Sequence, residues 1–269
     1  MNGTSRIAIL LVLASAATAK AGDKMKQEID ASKNVRLLDI QFARYPIPTR
    51  VVSRDGYGIR FVVPAGIKKM PQAGVYSFFA MAGDFEVTAG YQVFNLPGPK
   101  DGYGVSVGIA VDTEGPGGTV SLARGQLVGM NTGYIITRPK QNDKDTDFEH
   151  FSSSAKAGKL ILRREKGEVI CSVMEGPKDT LRELKRVKFT EAPIRKVRLF
   201  ADTGGSPTAL DARLWGVRIM AAEISGAIPY QEEGGGLWLW LAVVGLALAG
   251  GFYAYRRWQA RTVYGRSDS

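Results

Sequence analysis

The run GDFEVTAGYQVF, residues 83–94, alternates apolar and polar side chains from end to end. Phe85, Val87, Ala89, Tyr91 and Val93 fall on one side; Asp84, Glu86, Thr88 and Gln92 fall on the other. Successive side chains of a strand point to opposite faces, so this pattern demands a half-buried β-strand. YGVSVGIAVDT, residues 103–113, repeats it, with Tyr103, Val105, Val107, Ile109 and Val111 on one face and Gly104, Ser106, Gly108 and Ala110 on the other. A chain with several such strands must bury one face of each against another layer.

More strands follow the same reading. GIRFVV (58–63), GVYSFFAM (74–81), GYIITRP (133–139) and IRKVRLFAD (194–202) are short β-rich runs bounded by turn residues. GKLILRREKGEVICSVMEG (158–176) predicts a hairpin around a tight turn. In ALDARLWGVRIMAAEI (209–224) the apolar parity changes: Leu210, Ala212 and Leu214 give way to Trp215, Val217 and Ile219. A β-bulge at about Gly216 would flip the faces in this way. DTLRELKRV (179–187) is helix-like or a strand, and its basic residues read as a solvated face. ADTGGSP (201–207) reads as a tight turn between strands, since it lacks the Gly-Lys-Ser/Thr of a phosphate loop. Thirty-two glycines suit many turns, and no repeat of propeller or solenoid period is present. Residues 22–57, with a Pro-x-Pro and an Asp-Gly, read as an irregular lead-in, and residues 226–236, ending in EEGGG, as a flexible stalk.

The two ends predict an address. Arg6, the apolar run Ile7–Ala19 and the small-x-small sites Ala17-Thr18-Ala19 and Ala19-Lys20-Ala21 form the pattern of a signal peptide over residues 1–21. Residues 237–255 carry no charge. As a helix rising ~1.5 Å per residue they would cover most of a bilayer's hydrocarbon core. Trp238 and Trp240 lie at one end, and Tyr253, Tyr255 and Trp258 at the other, as interfacial aromatics do. Arg256, Arg257, Arg261 and Arg266 follow, whereas Glu232 and Glu233 precede, so the tail 256–269 is expected in the cytoplasm and the domain outside. The expectation is a single-pass type I protein whose lipid partner is met by residues 237–255. These two ends hold about half of the +10 net charge, which leaves a mildly basic outer part. That is no nucleic-acid footprint. One cysteine, Cys171, permits no internal disulfide, and its parity with Val169 and Val173 places it in a core.

GDFEVTAGYQVF, YGVSVGIAVD, GKLILRREKGEVICSVMEG and VRLFADTG…LDARLWGVRI together resemble the concanavalin A-like lectin/glucanase superfamily. Within it they are nearest to a secreted bacterial branch of no assigned activity. The resemblance spans residues 58–225 and implies an all-β jelly-roll sandwich of two antiparallel sheets, to which the C-terminal transmembrane helix would be added. Such a sandwich serves glycosidases, lectins and spacers alike, so fold alone leaves function open.

The glucanases of that superfamily carry Glu-x-Asp-x-(x)-Glu on one strand, and retaining hydrolysis needs paired carboxyls ~5–5.5 Å apart. Here Glu28-Ile29-Asp30 stands outside the resemblance and lacks the third carboxylate, so no catalytic residue carries over. Asp84 and Glu86 share a face and are the alternative pair for a glycoside hydrolase. The main expectation is non-catalytic binding of a glycan or an envelope protein. Its candidate residues are Asp84, Glu86, Thr88 and Gln92, with Ser106 beside them if the Gly104/Ser106/Gly108 face forms a trough next to that strand. A purely structural domain is the third reading. Trp215 could be a core residue or a stacking platform for sugar. QNDKDTDFEHF (141–151) spaces Asp143, Asp145, Asp147 and Glu149 alternately. That suits either a solvated acidic loop or a calcium site, although Phe148 and Ser154 break the EF-hand pattern. No other cofactor is expected. His150 is the only histidine.

Overall fold

The computed structural model describes residues 25–44, 50–67, 70, 72–113, 118–139, 146–176 and 180–229. The chain divides into two compact units, Met1–Ile228 and Pro229–Ser269, and every strand described belongs to the first. The expected signal segment 1–21, span 237–255 and tail lie outside the described residues. Among the described residues no helix is long and apolar enough to cross a membrane.

The chain opens with β1 (Gln27–Asp30), the short α1 (Arg36–Gln41), β2 (Phe42–Arg44), β3 (Val52–Arg54) and β4 (Gly58–Val63). Next come β5 (Ala73–Ser77), the long β6 (Ala80–Asn95), β7 (Gly104–Thr113), β8 (Thr119–Leu127), β9 (Thr132–Pro139) and β10 (Thr146–Ser152). β11 (Ala157–Glu165), β12 (Glu168–Glu175), β13 (Thr180–Lys188), β14 (Ile194–Asp202) and β15 (Leu210–Ser225) complete it. All pairings are antiparallel. One layer runs β2-β5-β14-β7-β8-β9-β10, and the other runs β13-β12-β11-β6-β15-β4-β3 with β1 also on β15. The layers touch edgewise through the single pairing Ile194↔Met81.

The alternation seen in sequence is what the sandwich buries. Phe85, Val87, Ala89 and Tyr91 of β6 meet Val105, Val107, Ile109 and Val111 of β7 in one core, joined by Leu160, Leu162, Val169, Cys171 and Val173 of the β11–β12 hairpin. That hairpin turns in two residues, Lys166 and Gly167, both at positive φ (48° and 76°). This is the twist a two-residue hairpin needs. Tyr91 and Tyr134 come from opposite layers, are fully buried, and bring their hydroxyls to 2.5 Å. Two arginines are also buried. Arg164 donates to the carbonyls of Gly83, Thr190 and Ala192 and lies over the Phe85 ring. Arg124 donates to the carbonyls of Gly133, Ser153 and Ala155.

Several local expectations are revised. GVYSFFAM is not one strand: Ser77 ends β5 and its hydroxyl donates to Phe79 O at 2.8 Å, turning the corner that carries the chain to the other layer. Residues 180–188, which the sequence allows as helix or strand, are strand β13. The lead-in supplies β1, β2 and β3, each paired to the sandwich. The acidic segment is partly strand, since Asp147 and Glu149 lie in β10.

Cys171 is fully buried, and burial first, then the nearby Glu149 charge, pushes its thiol up to about 12. The nucleophilic thiolate is therefore scarce at neutral pH. Iodoacetamide should leave the native protein unmodified and label one site once it is unfolded. Mass spectrometry would read this, and prompt labelling of the native fold would contradict it.

Candidate functional site

The outer face of the β14-β7-β8-β9-β10 layer is set row by row by its register. One row reads Asp202, Ser106, Gly125, Gly133, Ser152; the next reads Phe200, Gly108, Ala123, Ile135, His150; a third reads Arg198, Ala110, Ser121, Thr137, Phe148. Small residues dominate the middle strands, so the face sinks into a trough. A Cβ on Gly125 would meet Ser106 Cβ at 2.6 Å and Ile135 Cδ1 at 2.9 Å. Phe200, Ala110 and Ala123 form a second, separate apolar cluster on this side.

The trough is a cavity of about 740 Å³. Ser106, Ile135 and Thr137 form its floor, while Tyr103, Met130 and Phe148 stand along it. Tyr103 is 84% exposed and Phe148 52%. The Tyr103 backbone is held on both sides: its N–H donates to Gly204 O at 2.9 Å, and its carbonyl accepts from Val128 N at 3.3 Å. Asp202 closes one end, accepting the Gly204 N–H at 2.7 Å. The ADTGGSP turn thus anchors the wall of a groove. At the β14 end of the Thr137 row, Arg198 donates to Asp112 Oδ1 at 2.8 Å, and Asp112 accepts the Thr119 hydroxyl at 2.6 Å.

The expected site residues divide between the two outer faces. Ser106 lies in the trough. Asp84, Glu86, Thr88 and Gln92 face outward from β6, and β6 belongs to the other layer, so the expected shared groove does not form. Asp84 accepts the Lys166 N–H at 3.2 Å, and Glu86 accepts the Thr88 hydroxyl at 3.4 Å. Glu86 sits between Met220 and Arg163 in the register, and neither carboxylate lines the trough. Asp202 is the one carboxylate among the described lining residues, and a glycoside hydrolase uses a pair. Of the acidic set, Asp143 and Asp145 lie outside the described residues. Asp147 and Glu149 both hold Arg138, at 2.9 and 3.1 Å, and Glu149 also meets Lys185 at 3.0 Å. Among the described residues no group of three or more His, Cys, Asp or Glu could hold a metal ion.

Nothing in the alternation marks Tyr103, Phe148 and Asp202 as lining a common groove. Tyr103 continues the apolar alternation of β7 and so reads as core. Gly104, at φ 151°, breaks the strand before it and turns the ring out. Trp215, which the sequence allows as core or as an exposed platform, is 41% exposed.

Two facing antiparallel layers, with an open trough on one outer face, make this a jelly-roll-like β-sandwich, the class the strand motifs resemble. Residues 33–234 match the family described as "Protein of unknown function (DUF1583) C domain", and the chain belongs to that family. Solved structures with partial similarity include a functionally unknown protein from Saccharomyces cerevisiae, 12% identical over 71% of this chain and 98% of that one, TM-score 0.49. An alginate lyase from Klebsiella pneumoniae is 7% identical over 62% of this chain and 82% of its own, TM-score 0.46. The basic winged bean lectin with Tn-antigen is 10% identical over 66% of this chain and 92% of its own, TM-score 0.43. No curated relative matches the sequence.

Proposed function

We propose that this protein is a membrane-anchored, extracytoplasmic β-sandwich that binds a glycan chain in the trough without cleaving it. The observation that carries this reading is the pairing of two exposed aromatic rings, Tyr103 and Phe148, with a floor of small and hydroxylated side chains. Sugar rings present a C–H face to aromatics and hydroxyls to polar groups. A concave site with apolar walls and a few placed polar groups suits that ligand. Ser106, Thr137 and Asp202 supply the polar partners. The signal-like residues 1–21 and the uncharged run 237–255 support the address.

The test is an array of bacterial and plant glycans probed with the full-length protein in detergent micelles. Tyr103→Ala combined with Phe148→Ala should weaken binding about tenfold to hundredfold, the range of a lost binding hot spot. The bound glycans should be recovered uncut. Silence on the array, binding indifferent to both substitutions, or release of new chain ends would each overturn the reading.

A further inference from the structure

We infer that a second ligand site, a socket for one neutral hexopyranose ring, lies on the opposite outer face and is built on Trp215. It is independent of the trough and needs none of its residues.

The bulge creates it. Along β15, Trp215 pairs with Gly90 and Arg218 with Thr88, so two residues, Gly216 and Val217, oppose the single Ala89. Gly216 takes the extra place at φ 57°, a conformation costly for any residue with a side chain. The parity therefore changes after Trp215, not before it. Val217 and Ile219 turn into the core, and Trp215 stays outside.

Gly90 braces the indole. A Cβ on Gly90 would lie 2.5 Å from Trp215 Cε2 and 2.9 Å from Nε1, so the ring lies flat on that backbone. One face of the ring is covered and the other looks into a cavity of about 570 Å³, lined also by Tyr57, Gln92, Ala157 and Arg213. Tyr57 is 73% exposed.

The rim is held by its own contacts. Arg213 donates through Nε to Asp55 Oδ2 at 2.6 Å and through Nη1 to Gln92 Oε1 at 3.1 Å. Its guanidinium stacks on Tyr57 (5.2 Å) and Phe94 (5.1 Å). Asp55 also accepts the Tyr57 N–H at 3.2 Å, across the turn that Gly56 makes at φ 88°. One carboxylate thus positions both the arginine and the tyrosine. Burial alone would raise the Asp55 carboxyl, but the hydrogen bonds from Arg213 and Tyr57 hold it below its ordinary value.

These contacts define the ligand. A flat apolar platform accepts the C–H face of a sugar ring. The Arg213 bond occupies the Gln92 oxygen and leaves its NH₂ for a ring hydroxyl, and the Tyr57 hydroxyl offers a second partner. The Arg213 charge is balanced by Asp55, so nothing here selects a uronate or a phosphate. Because the socket and the trough open on opposite outer faces, one domain could hold two chains at once, with the avidity such linkage confers.

The experiment uses the full-length protein in detergent micelles and an array of neutral gluco-, galacto- and manno-oligosaccharides beside uronate oligosaccharides. The trough variant Tyr103→Ala/Phe148→Ala should keep residual binding to neutral sugars, and adding Trp215→Ala should lower it at least a further tenfold. Gly90→Ala keeps the tryptophan but displaces its ring, and should lose affinity similarly, while Trp215→Phe keeps part of it. Thermal melting confirms that each variant folds. Residual binding that survives Trp215→Ala, or no residual binding in the trough variant, overturns the socket alone. Binding that depends on Trp215 but not on Tyr103 and Phe148 overturns the trough reading alone. A preference for uronates overturns the ligand class, and a silent array overturns both sites.

Discussion

Arg124→Leu should lower the stability of the sandwich by about 3–5 kcal/mol, the loss of two or more charge-assisted hydrogen bonds from a buried site. Arg124 is 2% exposed. Its fork reaches Gly133 O at 2.6 Å, Ala155 O at 2.8 Å and Ser153 O at 2.9 Å. It thereby ties β8 and β9 to the segment that leads from one layer into β11. Leucine would fill part of the volume but leave those carbonyls without this donor in a dry site, where an unmet polar group costs about 1–3 kcal/mol. Arg124→Lys should recover less than half, because one ammonium cannot reproduce the planar spread of the guanidinium. Urea unfolding of the full-length protein and both variants reads this directly. A midpoint for Arg124→Leu within error of the parent would show that the carbonyls are satisfied without the arginine.

Gly108→Val should cost about 3 kcal/mol, at the upper end of the usual range for overpacking. The reason is backbone proximity. A Cβ at position 108 would lie 2.5 Å from Leu122 O and 2.6 Å from Ala123 Cβ. Strands β7 and β8 must part locally to admit it. Gly108 shares a cross-strand row with Ile135 of the trough, so parting these strands should lower glycan retention along with the melting temperature. Ala123→Gly in the same chain removes one of the three contacts under 3 Å and should restore part of the stability, since neighbouring substitutions couple. Full stability of Gly108→Val would mean that this strand pair is looser than the register implies.

Where one residue's surroundings are set by its own strand, the sequence is readable. Phe85 to Tyr91 and Val105 to Val111 are buried as their alternation requires, and Cys171 lies in the core that its parity with Val169 indicates. Strand order is not readable in this way. Ser106 lies beside Asp202 because β14 pairs with β7, whereas its expected neighbours on β6 sit in the other layer. Trp215 shows how little separates a correct reading from an inverted one. The bulge was anticipated at Gly216, but whether a ring lies before or after the extra residue decides between core and solvent. Tyr103 was obscured by Gly104, whose backbone angle leaves no trace in an alternating pattern.

The outermost strand β13 bears on how copies of this molecule live side by side. It ends one layer, so part of its backbone hydrogen-bonding capacity faces outward. An unguarded edge of this kind invites another chain to add itself, and then another, into a ribbon. Here the edge carries Arg182, Lys185, Arg186 and Lys188. Three of the four stand in ion pairs, Arg182 with Glu175, Lys185 with Glu149 and Arg186 with Glu183, so a second chain laid along this edge would have to displace hydrated, charged contacts. Crowded copies are therefore hindered from zipping into sheets by residues that, read along the chain alone, form no more than a solvated face.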